Sequence, residues 1–354
     1  MSRHPSRRTV LAGSAALGTL ATPLLAAAQS PAQSGAPSAG LQAAIDYAQG
    51  QKTTGFLIVH DGKTLVEKNW PVPADSAQFR ETMVYGSTPE GALLEDVASQ
   101  QKSFVSMLVA IAIDKGMIDV NQSVSHYIGS GWTKASPEQE AKIRVIDVLT
   151  MSSGLTTEFG YAAAPGGVFL YNTPVYAVSK RIVAAAAGQP LDVITHDWLA
   201  APAGMSNTAW RKRPASMADI GNPTGLVTCP RDVARFGQIV LNRGKAADGA
   251  RIVSEASLAA MFTRSAANPA YGRLWWLNGS AYTIKPLANH VDHSLIPAAP
   301  TDLIAALGAL DRKLYIVPSQ RLVVVRMGQA APDKDFDQQL WLRLVAAGVG
   351  RRTA

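Results

Sequence analysis

The sequence predicts an α+β fold: an antiparallel sheet flanked by terminal helices, with an all-helical domain inserted into it. Three observations point there. Strand patterns stand near both ends of the chain, at residues 55–60 and 63–69 and again between 303 and 327. Helical patterns fill the middle, from about Ser99 onward. An amphipathic stretch lies outside the strands at each end, at 41–49 and 335–347. Strands grouped apart from helices favour antiparallel pairing over alternating parallel units.

Each element has its own signal. Gly55-Phe56-Leu57-Ile58-Val59-His60 is apolar and β-branched, and Asp61-Gly62 is a hairpin turn leading to a return strand at 63–69. Residues 71–91 are polar, contain Pro and Gly, and are expected to be irregular. Phe104, Met107, Leu108 and Ile111 recur at helical spacing. Helices are also expected at 173–187, 191–199 and 230–241, with breaks at Gly154, Pro165-Gly166-Gly167 and Pro202. Residues 303–307, 314–317 and 322–327 read as three strands of a meander. A closing helix carries Phe336, Leu340, Trp341 and Leu344 on one face. The expected division is a sheet domain of residues 41–98 and 266–354 and a helical domain of residues 99–265.

Composition narrows the function. The chain has 354 residues, 47% of them hydrophobic and 17% charged, which excludes global disorder. Its single cysteine, Cys229, cannot form an internal disulfide, and no Cys/His cluster has zinc spacing. His290 and His293 read as loop decoration, so no metal and no cofactor is expected. The formal charge of +7 falls to +4 without Arg3, Arg7 and Arg8. Arg211-Lys212-Arg213 is a basic run without aromatic interleaving, so no nucleic-acid partner is expected.

Residues 1–28 read as an address. Arg7-Arg8 precedes a mildly apolar stretch from Val10 to Ala28, with small residues before Gln29. This resembles a twin-arginine export signal. It implies the twin-arginine export machinery as a partner, a periplasmic or secreted product, and no stable membrane insertion once the signal is cleaved. The alternative is an uncleaved membrane anchor. Residues 29–40 are rich in Gln, Ser, Pro, Ala and Gly and read as a flexible leader.

The chemistry centres on Ser99-Gln100-Gln101-Lys102. Residues i and i+3 share a helix face. A serine in the first turn has an uncommitted amide and a favourable dipole. A lysine serves as its base only if burial and neighbouring charge keep it neutral. The bland alternative is a helix start with a solvated lysine. The flanking sequence, Asp96-Val97-Ala98 before and Ser103-Phe104 after, leads into an apolar helix and sets Lys102 near core residues.

Several further stretches carry a resemblance: Leu149-Thr150-Met151-Ser152-Ser153-Gly154-Leu155; Gly225-Leu226-Val227-Thr228 with Asp232-Val233-Ala234-Arg235-Phe236-Gly237; and Tyr271-Gly272 with Leu274-Trp275-Trp276. With the Ser99 motif, they make residues 41–347 resemble the serine hydrolases related to class C β-lactamases, D,D-peptidases, family VIII esterases and 6-aminohexanoate-dimer hydrolases. Tyr315-Ile316-Val317-Pro318 and Leu322-Val323-Val324-Val325-Arg326 resemble the last branch in particular. The resemblance implies the β-lactamase-like fold, with Ser99 as nucleophile, Lys102 as base and Tyr171 of Tyr171-Asn172-Thr173 as proton shuttle. A phenol near an ammonium is expected to lose its proton more readily. Thr173 stands where the family has an amide, and its hydroxyl is the substitute on offer. The family's Lys/His-Thr/Ser-Gly strand motif corresponds to Ala306-Leu307-Gly308, without the basic first residue. Gly308 permits a close backbone approach, and the amides of Ser99 and Ala309 would form the oxyanion hole. Asp311 and Arg312 replace the Gly and Gln frequent in that branch. Of Trp275 and Trp276, one is expected in the core and one in the substrate pocket.

Three patterns are set aside. Tyr176-x-x-x-Lys180 lacks the glycine-rich turn of a dinucleotide-binding dehydrogenase. No Gly-x-Ser-x-Gly elbow is present. Cys229 before Pro230 reads as a small buried residue. The expected function is an exported hydrolase of a small ester or amide. The alternatives are a non-catalytic or weakly active penicillin-binding-like protein, a true β-lactamase or D,D-peptidase, or a redox enzyme exported with its cofactor.

Overall fold

Strand β1 (Thr53–His60) is buried along nearly its whole length, which happens only when both faces of a sheet are covered. A computed structural model, describing residues 37–218 and 221–350, accounts for this. The stretch read as an export signal, residues 1–28, and most of the stretch read as a leader lie outside the described residues. The other strands are β2 (Lys63–Asn69), β3 (Val84–Ser87), β4 (Leu93–Asp96), β5 (Ala209–Lys212), β6 (Thr224–Thr228), β7 (Trp276–Leu277), β8 (Thr283–Lys285), β9 (Asn289–Val291), β10 (Ile304–Gly308), β11 (Arg312–Val317) and β12 (Leu322–Gly328).

The main sheet is antiparallel with order β2-β1-β12-β11-β10-β7, so the first hairpin and the late meander join into one sheet. Asp61 and Gly62 both have positive φ, as the tight turn between β1 and β2 requires. Adjacent residues on β11 reach opposite layers. Tyr315 meets Trp341 of the terminal helix Phe336–Ala346, which packs with the helix Ala39–Gly50. Leu314 faces the helix Pro230–Leu241. A Cβ added at Gly237 would stand 2.9 Å from Val323 Cγ1 and 3.0 Å from Leu314 Cδ1, so glycine lets that helix close on the sheet.

Two expectations change. Residues 71–91 are not irregular: they hold the helix Ala77–Met83, which buries Phe79 and Met83, and strand β3. Those two apolar residues at i and i+4 were the helical signal, too brief to stand out among polar neighbours. Nor is the inserted segment wholly helical. β5 and β6 lie within residues 99–265 and, through the pairing of β6 with β4, join β4 and β3 in a second sheet of order β3-β4-β6-β5. The helix Pro230–Leu241, also within that range, packs on β1, β11 and β12 of the main sheet. β8 and β9 form a separate hairpin.

Candidate active site

β4 ends at Asp96, and a 3₁₀ turn, Ala98–Gln100, runs straight into the helix Gln101–Asp114. Ser99 sits in that turn. Ala98 has φ 49°, a left-handed conformation that costs a non-glycine residue about 1–3 kcal/mol unless its surroundings enforce it. Asp96 does so, its Oδ1 accepting from Ala98 N–H at 2.7 Å.

Lys102 is 2% exposed. Its Nζ lies 2.8 Å from Ser99 Oγ and 3.2 Å from Thr173 Oγ1. It also stands 4.8 Å and 4.7 Å from the ring centroids of Tyr171 and Tyr176. Burial, and then the charge of Arg213, lower the ammonium to about 7. Near neutral pH a large share of Lys102 is therefore an amine with a free lone pair. Tyr171 moves the other way: burial raises its phenol to about 12, against a smaller opposing effect of the Ser99 hydroxyl. The expectation of a readily ionised phenol is thus reversed, because burial of most of the ring and its hydroxyl penalises the phenolate.

Asn172 is the scaffold of this corner. Its Oδ1 caps the helix Thr173–Ala187 by accepting from Val175 N–H, and its Nδ2 donates to Leu155 O and Thr156 O at 3.0 Å each. Leu149 O accepts from Leu274 N–H, and Leu274 O accepts from Ser103 Oγ. The 149–155 stretch therefore ties the Tyr171 segment and the Tyr271–Trp276 segment to the Ser99 helix.

Ser99 and Ala309 line two clefts that meet at the nucleophile. One, of about 730 Å³, has Phe79, Met83, Met217 and Leu310 on its walls. The other, of about 430 Å³, is bounded by Tyr171, Trp276, Leu307 and Lys285. The two tryptophans differ in their surroundings. Trp275 is fully buried and stacks on Phe236, while Trp276 stacks on Tyr171 at 5.7 Å between centroids. Gly308 lines the smaller cleft, but its close approach is to the protein itself: a Cβ there would meet Val97 O at 2.4 Å. Ala306 is not on either cleft wall. It is fully buried, and its carbonyl accepts from Gln100 Nε2 at 3.3 Å. Arg312 is also fully buried, paired with Glu95 at 3.1 Å.

The patterns set aside are structural. Lys180 is buried and donates to Asn222 Oδ1 at 2.6 Å and Thr224 O at 3.0 Å, and Tyr176 packs against Lys102. Cys229 is buried, and burial with Asp232 nearby raises its thiol to about 11. His290 stacks on Tyr282, and His293 Nδ1 contacts Ser294 O. Among the described residues no group of three or more His, Cys, Asp or Glu side chains is placed to hold a metal. Sequence reasoning missed Asp96 and Arg213. Asp96 stood beside the motif, and Arg213 was visible only as the end of a basic run.

Comparison with known proteins places this geometry. The family described as Beta-lactamase matches residues 38–348. Among solved structures, a Bacteroides dorei protein provisionally described as a β-lactamase shares 14% identity, with 89% of this chain and 99% of that chain covered at a TM-score of 0.67. A Bacillus anthracis protein provisionally described as a 6-aminohexanoate-dimer hydrolase shares 18%, covering 86% and 81% at 0.63. A family VIII carboxylesterase shares 14%, covering 88% and 98% at 0.62. At these identities the likeness is one of fold. No curated protein compared with the chain matches it. The family match spans nearly all the described residues, and the chain belongs to the β-lactamase family of serine hydrolases.

Proposed function

We propose that the chain is an exported hydrolase that cleaves a small ester or amide through an acyl-enzyme on Ser99. The observation that carries the reading is the 2.8 Å contact between Ser99 Oγ and the buried Lys102 Nζ. Neutral Lys102 takes the Ser99 proton as Oγ attacks the substrate carbonyl. The amides of Ser99 and Ala309 receive the oxyanion. Tyr171, held protonated by burial, gives its proton to the leaving oxygen or nitrogen and regains one from the Lys102 ammonium. Water then attacks the acyl-enzyme with the same groups returning the proton to Ser99, so no proton is gained or lost over the cycle. Export rests on the Arg7-Arg8 leader.

The test is a pre-steady-state assay with an activated ester. A burst of product equal to the enzyme present, absent in Ser99→Ala, supports the proposal. Turnover without a burst, with Ser99→Ala as fast as the parent, overturns it. A ligand-binding protein without turnover is the other outcome that would replace it.

A further inference from the structure

A buried ion pair stands directly behind the nucleophile turn, and the catalytic scheme above does not use it. Arg213 Nε and Nη2 donate to the two oxygens of Asp96 at 2.7 and 3.0 Å, and both side chains are at most 1% exposed. Arg213 Nη1 also donates to Asn222 O at 2.9 Å. Gly225 makes the space: a Cβ there would stand 2.0 Å from Asp96 Oδ2. Buried ion pairs are often no more stabilising than well-packed apolar groups, so stability alone does not explain this one. Its position does. The carboxylate that Arg213 grips is the one that accepts from Ala98 N–H.

We propose that Arg213 is a positioning residue for acyl transfer: through Asp96 it fixes the strained Ala98 backbone that presents Ser99, and its permanent charge acts on Lys102 across the same site. This rests on the reading of Ser99 and Lys102 as nucleophile and base. The groups around Lys102 are few. Tyr171 and Tyr176 face it with their rings, and Tyr271 stands edge-on behind Tyr171. Ser99 and Thr173 offer hydroxyls. Lys180 lies one turn beyond Tyr176, its own ammonium lowered to about 6 by burial and Arg213, against Asp96. Arg213 is the guanidinium among these. It lines the larger cleft with Ser99 and Thr173, the two hydroxyls that Lys102 meets, and after burial it is the cause that lowers Lys102. Removing its charge favours the ammonium, so the rate should need a higher pH to free the base.

The experiment is the rate of labelling by a fluorophosphonate probe as a function of pH, with melting curves for every variant. Arg213→Gln should slow the plateau rate at least about tenfold and move the acid limb up by about half a pH unit or more. Arg213→Lys keeps the charge but not the two-armed grip, so it should slow the plateau and leave the limb in place. Asp96→Asn should slow the plateau without raising the limb. If Arg213→Gln does not fold, the double variant Asp96→Asn/Arg213→Gln, which leaves no unpaired buried charge, should show the raised limb. A plain structural role slows every variant and moves no limb; that pattern overturns the electrostatic half. Wild-type plateau rates in folded Asp96→Asn and Arg213→Lys overturn the positioning half. Labelling that persists in Ser99→Ala is a different failure, that of the nucleophile assignment.

Discussion

Lys102 Nζ lies 3.2 Å from Thr173 Oγ1, so a threonine hydroxyl accepts from the candidate base at the place where relatives carry an amide. A neutral hydrogen bond contributes about 0.5–1.5 kcal/mol, so its loss should cost roughly three- to tenfold in acylation. Thr173→Val keeps the shape and removes the acceptor, and should slow the ester burst by that factor. Thr173→Ser should stay near the parent rate. Stopped-flow burst kinetics check both, and equal rates in Thr173→Val and the parent would show that Lys102 is oriented by Ser99 alone.

The pH profile follows from two groups shifted in opposite directions. Acylation needs Lys102 neutral, so kcat/KM should fall about tenfold per pH unit below about 7. It needs Tyr171 protonated, and that phenol stays so until about 12, so no alkaline limb should appear in the working range. Lys102→Ala should lower acylation by about a thousandfold or more, and Lys102→Arg should not restore it, since a guanidinium stays charged. An acid limb near 4–5 would instead point to a carboxylate base.

The same burial should weaken the fold. Lys102 has a folded value of about 7 against the ordinary lysine value of 10.5, so the unfolded chain binds more protons between those pH values. The Lys102 penalty is therefore absent above about 10.5, grows as pH falls through this window, and is complete below about 7. Lys102→Met should abolish turnover yet raise Tm by roughly 5 °C at pH 6–7. That gain should shrink toward pH 10. Calorimetry at several pH values measures it, and a gain independent of pH would trace to packing instead.

Much of this site is local and therefore readable in one dimension. Ser99 and Lys102 lie one helical turn apart, so their types and spacing carry the pattern, and the contiguous Tyr171, Asn172 and Thr173 are marked by the family resemblance. What was hidden depends on long-range pairing. Asp96 and Arg213 meet because β4 and β5 both pair with β6, and nothing local marks Arg213 off from Arg211. Which of Trp275 and Trp276 is enclosed depends on which one meets Phe236, a long-range contact. The helix Ala77–Met83 was obscured because only Phe79 and Met83 carry its apolar face.

Contacts behind the sheet should affect stability and leave chemistry alone. Gly237→Ala would press a methyl against Val323 and Leu314 at about 3 Å, an overpacking that costs about 1–3 kcal/mol. Tm should fall by roughly 3–8 °C. The burst amplitude per folded molecule should not change, because neither neighbour lines a cleft. A lost burst in folded Gly237→Ala would mean that the helix Pro230–Leu241 transmits strain to Ser99.

Substrate preference follows from the charges that can reach the cleft. Penicillin-recognising relatives hold a substrate carboxylate with the basic residue that opens the strand motif. Here that position is Ala306, fully buried and without a donor. Arg312 cannot replace it, because it is enclosed and paired with Glu95. Lys285 lines the smaller cleft and Lys52 the larger one, neither from the strand position that holds the carboxylate, and Arg213 is held by Asp96. Charge-assisted hydrogen bonds contribute about 1.5–3 kcal/mol each, so a β-lactam loses roughly one to two powers of ten in binding its carboxylate. A short ester or linear amide has no such group to hold and loses nothing, while Trp276, Leu307 and Tyr171 give its chain an apolar wall. The expected result is a kcat/KM for a short p-nitrophenyl ester at least about a hundredfold above that for a chromogenic cephalosporin. Both are measured on the same preparation beside Ser99→Ala. Faster turnover of the cephalosporin would mean that Lys285 or Lys52 serves the carboxylate after all, and Lys285→Met or Lys52→Met should then abolish the difference.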